Sequence, residues 1–232
     1  MRCAYATLVT NADYARGALA LARSLRAVGA RAPLLVLAPP GAVGLDELEA
    51  VGAIVHELAP LPLSEAFRAR HSRAAQHAAA PFTKGTKPAF HDPLDNFQKL
   101  RLWALEDYDR LVFLDADVVV VKNIDRLFRY PDFAAAPNLY EDLADFHRLN
   151  SGVFTATPSK ARLEAMLEAL DRPDAWWRRT DQTFLEHWYP DWHGLPYTYN
   201  TLQYVFFNLP ELWWWPQIKV VHYQYEKPWQ DD

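Results

Sequence analysis

"LVFLDADVVVV", Leu111 to Val121, sets two aspartates, Asp115 and Asp117, inside an otherwise unbroken apolar run. The β-branched and aromatic residues on both sides predict a buried strand. Taking a carboxylate out of water without a partner costs on the order of several kcal/mol. Residues i and i+2 of an extended chain point to the same side, so these two acids converge and repel each other. A divalent cation relieves that repulsion, and oxygen ligands suit Mn2+ or Mg2+. A pair of aspartates that cap a turn or pair with arginine is the bland alternative, and the stretch alone leaves it open. The chain also carries its own control: Asp107-Tyr108-Asp109 has the same spacing, but lies beside Glu106 and Arg110 at a polar helix end and reads as solvated surface.

Outward from this stretch, strands alternate with helices. "CAYATLVT" reads as a first strand and "NADYARGALALARSLRAVG" as a helix, with Ala18, Leu21, Ala22 and Leu25 at helical spacing. "PLLVLAPP" and "AIVHEL" are further strands around a short helix in "LDELEAVGA". "NFQKLRLWALEDY" predicts a helix leading into the opening strand. Beyond it come strands in "FAAAPN" and "SGVFTATP", helices in "SKARLEAMLEALDR" and "DQTFLEHWY", and a last strand in "IKVVHYQY". This order predicts an α/β fold, a mostly parallel sheet covered by helices, in one domain over residues 1–232. Residues 64–95 are polar, Ala-rich and broken by Pro and Gly, and read as a long loop or helical insertion. His71, His77 and His91 fall there at irregular spacing and read as solvated. Ligands of open α/β sheets bind at the carboxyl ends of strands, which is where Asp115 and Asp117 sit.

Bulk properties narrow the function. The net charge of -5 argues against nucleic acid or an anionic membrane as partner. Cys3 is the only cysteine, so no internal disulfide forms. The N-terminus lacks the apolar core of about 7–15 residues of a signal peptide, and no run reaches the roughly 18 apolar residues of a transmembrane helix. Together these predict a soluble cytoplasmic protein. Aromatic content of 14%, including 9 Trp, suits either sugar stacking or a dense core.

"FLDADVVVVKNIDRLF" resembles the metal-binding stretch of the family 8 retaining glycosyltransferases, the group that includes glycogenin, galactinol synthase and bacterial galactosyltransferases. "ATLVTNADYARGALALARSL", "NSGVF" from Asn150, "DQTFL" from Asp181, "LPYTYN" ending at Asn200 and "VVHYQYEKPW" from Val220 match that family in order. The resemblance implies a GT-A fold with a Rossmann-like nucleotide half. It further implies hexose transfer from a UDP-sugar with retention of the α configuration and Mn2+ (Mg2+ as the alternative) on the diphosphate. By the same resemblance Asp115, Asp117 and His222 are the metal ligands. Leu8, Thr10, Asn11 and Tyr14 hold uracil and ribose; Lys99, Ala116, Asn150 and Ser151 contact the donor. Lys227 reaches the diphosphate from a tail, residues 223–232, that closes over it, and Asp181 and Gln182 lie at the reacting face.

Some positions depart from the glycogenin pattern. Gln224-Tyr225-Glu226 lacks a glycine before the tail lysine, and Arg178 or Arg179 stands where an acid precedes the "DQ" pair. Phe207 occupies the place of the self-glucosylated tyrosine and has no hydroxyl, so a separate carbohydrate or small-molecule acceptor is expected. The alternatives are a glycogenin-like self-modifying primer, a non-catalytic nucleotide-sugar binder and a nucleotidyltransferase. The last should show a Gly-rich, basic phosphate loop after the first strand, which "TLVTNADYARGA" does not. A homodimer is compatible with the sequence, and Trp213-Trp214-Trp215 reads as core plus an exposed ring or as an acceptor groove.

Overall fold

The computed structural model describes residues 1–75, 91–140, 142–144, 146–172, 180–224 and 226–229. The first half runs β1 (Cys3–Leu8), α1 (Ala12–Ala27), β2 (Leu34–Ala38), α2 (Leu45–Ala50), β3 (Ile54–Glu57), α3 (Glu65–His71), α4 (Pro93–Asn96) and a 3-10 helix over Phe97–Ala104. It continues with β4 (Arg110–Leu114), β5 (Val118–Val120), β6 (Ala134–Pro137), β7 (Leu149–Ala156), α5 (Lys160–Leu170), α6 (Asp181–Trp188), β8 (His193–Gly194), β9 (Thr201–Leu202), α7 (Gln203–Asn208) and β10 (Val220–His222).

Seven strands form the main sheet in the order β3-β2-β1-β4-β7-β6-β8. β1 pairs in parallel with both β2 and β4, and only β7 runs antiparallel to its neighbours. Side chains alternate between two core layers, as the pleat requires. Tyr5, Val36, Val112 and Leu114 face the layer under α1 and α2, while Ala4, Ala6, Leu35, Leu37, Leu111 and Phe113 face the layer under the 3-10 helix, α5 and α6. Because the chain leaves β1 toward β2 on one side and returns through β4 on the other, the carboxyl ends of β1 and β4 flank a topological switch point. A second, three-stranded sheet of β5, β10 and β9 stands beside it.

The opening stretch is not one strand. It breaks at Asp115-Ala116-Asp117 into β4 of the main sheet and β5 of the small one. The break is pinned by backbone bonds: Asp115 N–H donates to Gly152 O at 2.8 Å, and Tyr223 N–H donates to Asp117 O at 2.9 Å. The two acids therefore occupy the hinge between two sheets, where a turn rather than strand alternation makes them converge.

Three further expectations are corrected. The Lys99 segment is a 3-10 helix, and its three-residue period stacks Phe97, Leu100 and Trp103 in one fully buried row. The strand expected from Ser151 starts two residues earlier, so Asn150, Ser151 and Gly152 all lie inside β7. His71 and His91 are buried rather than solvated: His71 stacks on Phe67 one helical turn back and bonds its carbonyl at 2.8 Å, and His91 meets the Tyr14 hydroxyl at 3.1 Å. His77, Arg178 and Arg179 lie outside the described residues. The control behaved as read: the Asp109 side chain is 62% exposed at the surface near the N-terminus.

Among the described residues, no helix is long and apolar enough to cross a membrane. The aromatic surplus divides between core and surface. Trp103 is fully buried, Trp213 packs against the small cluster of Leu139, Leu202 and Val205, and Trp214, Trp215 and Phe207 are exposed.

Candidate active site

The hinge acids meet the end of β10. Asp115, Asp117 and His222 each offer a ligand atom, and these atoms lie within 4.8 Å of one another. His222 Nε2 stands 3.2 Å from Asp117 Oδ1 and 3.9 Å from Asp115 Oδ2. The antiparallel pairing of β10 with β5 sets His222 opposite Val118, immediately after Asp117. The ring can sit there because the residue facing it is Gly152. A methyl group on Gly152 would fall 2.4 Å from His222 Cε1 and 2.6 Å from Nδ1, inside van der Waals contact. The close approach that this glycine permits is thus to a side chain of the same protein.

A second network adjoins the first. Lys99, buried in the 3-10 helix, places Nζ 2.8 Å from Asp181 Oδ2 and 3.3 Å from Asp115 Oδ1, and donates to Ser151 O and Oγ at 3.4 Å. Ser151 Oγ donates to Asp181 Oδ2 at 2.8 Å, and Ser151 N–H to Gln182 Oε1 at 3.3 Å. Asp181 and Gln182 open α6, whose Thr180 cap and first-turn acid suit a helix N-terminus. Lys227 completes the ring of charge: its Nζ donates to Asp117 Oδ2 and, at 2.8 Å, to Tyr223 O.

The tail bearing Lys227 lies against α1. A methyl group on Gly17 would meet Ala116 O at 2.3 Å and Trp229 Cη2 at 2.6 Å, so this helical glycine is the seat for Trp229 and for the hinge backbone.

The charges are perturbed in a consistent sense. Burial pushes the Asp115 carboxyl above the usual carboxylate range; Lys99 opposes that rise and Asp117 reinforces it. Burial also acts to raise Asp117, but the Lys227 ammonium and His222 overrule it and hold the group well below its usual value. Lys99 would be lowered by burial and is instead held high by Asp115 and Asp181. The Tyr14 hydroxyl is raised, first by burial and then by Asp117 and Asp115. Three carboxylates thus share two ammonium groups, with Asp115 the acid left short of positive charge. The donor set of two oxygens and one imidazole nitrogen fits a divalent cation of the Mn2+ or Mg2+ kind at that deficit.

The remaining predicted residues divide. Leu8 and Thr10 line a separate cleft at the ends of β1 and β2, together with Asp92, Asp95 and Arg101. The Asp95 carboxyl is raised there by burial and by Asp92, and sequence reading gave neither acid a role. Asn11 caps α1 by accepting from Tyr14 N–H at 3.1 Å. Asn150 is 1% exposed, and its side chain bonds Asn138, Asn200 and the Gly152 amide. Asn138 and Asn200 are the site residues missed. The available signal for Asn200 was its place at the end of "LPYTYN".

The fold and this site define a class, the GT-A glycosyltransferases. The galactosyltransferase LgtC, solved in complex with donor and acceptor sugar analogs, superposes with a TM-score of 0.68 at 17% identity over 98% of this chain and 90% of its own. GlyE of Streptococcus pneumoniae superposes with a TM-score of 0.67 at 15% identity, over 99% of this chain and 57% of its own. Within that class, the sequence profile of glycosyl transferase family 8 matches residues 6–232, and the chain belongs to that family. A putative UDP-glucuronate:xylan alpha-glucuronosyltransferase 5 of Arabidopsis thaliana is 33% identical over 99% of this chain and 37% of its own length. Glycogenin-1 of Caenorhabditis elegans is 29% identical over 97% of the chain and 50% of its own, and galactinol synthase 1 of Solanum lycopersicum 29% over 98% and 74%. The chain spans 32–37% of the length of three Arabidopsis thaliana xylan glucuronosyltransferases that it matches.

Proposed function

We propose that this chain is a retaining glycosyltransferase that moves a hexose or hexuronic acid from a UDP-sugar to the hydroxyl of a separate acceptor, with Mn2+ on the diphosphate. The observation that carries the reading is the convergence of Asp115, Asp117 and His222 at the switch point of a family 8 fold. Bound there, the cation would supply Lewis-acid neutralisation of the departing diphosphate. The cleft at Leu8 and Thr10 takes the uridine, with Asn11 and Tyr14 at its α1 edge and the Ala116 backbone at the hinge. Lys99 and Ser151 flank the donor sugar, and Asn150 stands one layer behind them. Lys227, on a tail that serves as the lid of a single GT-A domain, is the second positive charge at the diphosphate.

Retention requires either a covalent intermediate or attack from the face of departure. Asp181 Oδ2 is held by both the Lys99 ammonium and the Ser151 hydroxyl at 2.8 Å, and an oxygen so committed is a weak nucleophile. That engagement favours same-face attack, with Asp181 and Gln182 orienting sugar and acceptor rather than bonding to carbon. A non-catalytic binder would have no use for this buried acid–lysine–amide network. A cytoplasmic location rests on the lone free Cys3.

The test is Mn2+-dependent UDP release from a panel of UDP-glucose, UDP-galactose, UDP-GlcNAc and UDP-glucuronate, with intact mass measured after each incubation. Release from at least one donor that rises when candidate carbohydrate acceptors are added, with no mass gain on the protein, supports transfer to a separate acceptor. A ladder of sugar additions on the protein identifies the self-modifying primer, and no release from any donor overturns the reading. Phe207, 69% exposed and without a hydroxyl, favours the first outcome.

A further inference from the structure

Four buried side chains form a hydrogen-bonded line behind the candidate metal ligands: Asn138, Asn150, Asn200 and His222 are 1–3% exposed. Its atoms can be assigned without ambiguity from one end. Gly152 N–H approaches one side-chain atom of Asn150 at 2.9 Å, and a backbone amide only donates, so that atom is Oδ1. The Asn200 atom 2.8 Å from the same oxygen must then be the donor Nδ2. Asn200 Oδ1 is left facing His222 Nδ1 at 2.9 Å, which obliges Nδ1 to carry the proton. On the far side, Asn150 Nδ2 donates to Asn138 Oδ1 at 2.9 Å and fixes the amide in that sense.

The consequence falls on the other nitrogen. In the neutral ring Nε2 presents a lone pair, and it presents it 3.2 Å from Asp117 Oδ1 and 3.9 Å from Asp115 Oδ2. A lone pair facing two carboxylates is repulsive unless a cation lies between them.

We propose that the asparagine line Asn138–Asn150–Asn200 is a positioning relay, anchored on the Gly152 amide, that fixes the tautomer of His222 so that Nε2 is always ready to bind metal. Asn150 and Asn200 thus serve the metal through His222. Gly152 has two parts in the device: its N–H sets the polarity of the line, and its missing side chain leaves room for the ring. Outer partners that orient a metal-bound histidine typically set affinity by about 10–100-fold. The inference rests on the metal reading above, and its test separates the two.

The protein is labelled with [15N]histidine and studied free of metal at alkaline pH. Two-dimensional proton–nitrogen correlation reads the tautomer of His222, assigned by its disappearance in His222→Ala. Mn2+ affinity is measured in parallel, without nucleotide, for wild type, His222→Ala, Asn200→Leu and Asn200→Asp. The relay predicts a proton on Nδ1 in wild type, a mixed or reversed tautomer in Asn200→Leu, and an affinity for Mn2+ about 10–100-fold weaker in that variant. Asn200→Asp, which still offers an acceptor to Nδ1, keeps the wild-type tautomer. A proton on Nε2 of the wild-type ring overturns the relay even if Asn200→Leu fails to fold. Unchanged tautomer and Mn2+ affinity in Asn200→Leu, with affinity lost in His222→Ala, also overturns it and leaves the metal site standing. Unchanged affinity in His222→Ala overturns both.

Discussion

Replacing Gly152 with alanine tests how the hinge, the histidine and the core are joined. The added methyl would stand 2.4 Å from His222 Cε1, 2.6 Å from Nδ1 and 2.9 Å from Asn150 Oδ1, about an ångström inside ordinary contact for the ring atoms. None of these neighbours can swing away as a surface side chain does. His222 lies in β10 and Asn150 in β7, and both are buried. Overpacking of this kind costs about 1–3 kcal/mol, which for a chain of this size is a fall of about 2–12 °C in melting temperature at roughly 2–4 °C per kcal/mol. Because the displaced groups are His222 and its partner, affinity for Mn2+ should fall with stability. Gly194→Ala is the control, since a methyl there meets nothing nearer than Trp192 at 3.9 Å. Calorimetry and Mn2+ titration of both variants decide the matter. Gly152→Ala melting within about 1 °C of wild type, with unchanged Mn2+ affinity, would refute the packing argument.

Two other substitutions follow from the same contacts. In an ordinary helix Gly17→Ala would add about 1 kcal/mol of stability; here the methyl would strike Ala116 O at 2.3 Å and Trp229, so the variant should melt lower and its tail should be cleaved faster in limited proteolysis. A stabilised variant with a protected tail would contradict that seat for Trp229. Lys99→Met leaves Asp115 and Asp181 without the cation that neutralises both, and breaking a buried pair in this way costs about 3–5 kcal/mol. Scanning calorimetry should show a fall of about 6–20 °C, partly recovered by Mn2+. A fall unaffected by Mn2+ would mean that Asp115 does not receive the metal.

Much of the arrangement can be read in the sequence, and the limits have physical causes. The strands β1, β2 and β4 and the helix α1 are visible because burial imposes a period of two or of 3.6 on apolar residues. The split of "LVFLDADVVVV" between two sheets is invisible to such patterns, because both halves are apolar and the bonds that divide them come from Gly152 and Tyr223. The 3-10 winding around Lys99 is similarly hidden, since Phe97, Leu100 and Trp103 are compatible with either helix. Asp115, Asp117 and His222 were legible as a set only through the resemblance, because β10 lies a hundred residues from the hinge along the chain. Asn138 gave no signal of its own, and Asn200 only its place at the end of "LPYTYN": an asparagine in a polar or aromatic stretch reads as a turn, and only packing shows it buried against another amide. His71 and His91 were misread for the same reason, as their partners Phe67 and Tyr14 acquire meaning only once α3 and α1 are in place.

The central claim is that Asp117 helps to hold a metal required for departure of UDP. UDP release from the preferred UDP-sugar, followed against Mn2+ concentration in wild type and in Asp117→Ala, tests it most directly. The account predicts a saturable rise with Mn2+ in wild type, and in the variant a loss at least as large as the roughly 10–100-fold that outer partners alone cost a metal site. Turnover near the wild-type rate in Asp117→Ala, or full wild-type turnover in excess chelator, would contradict it.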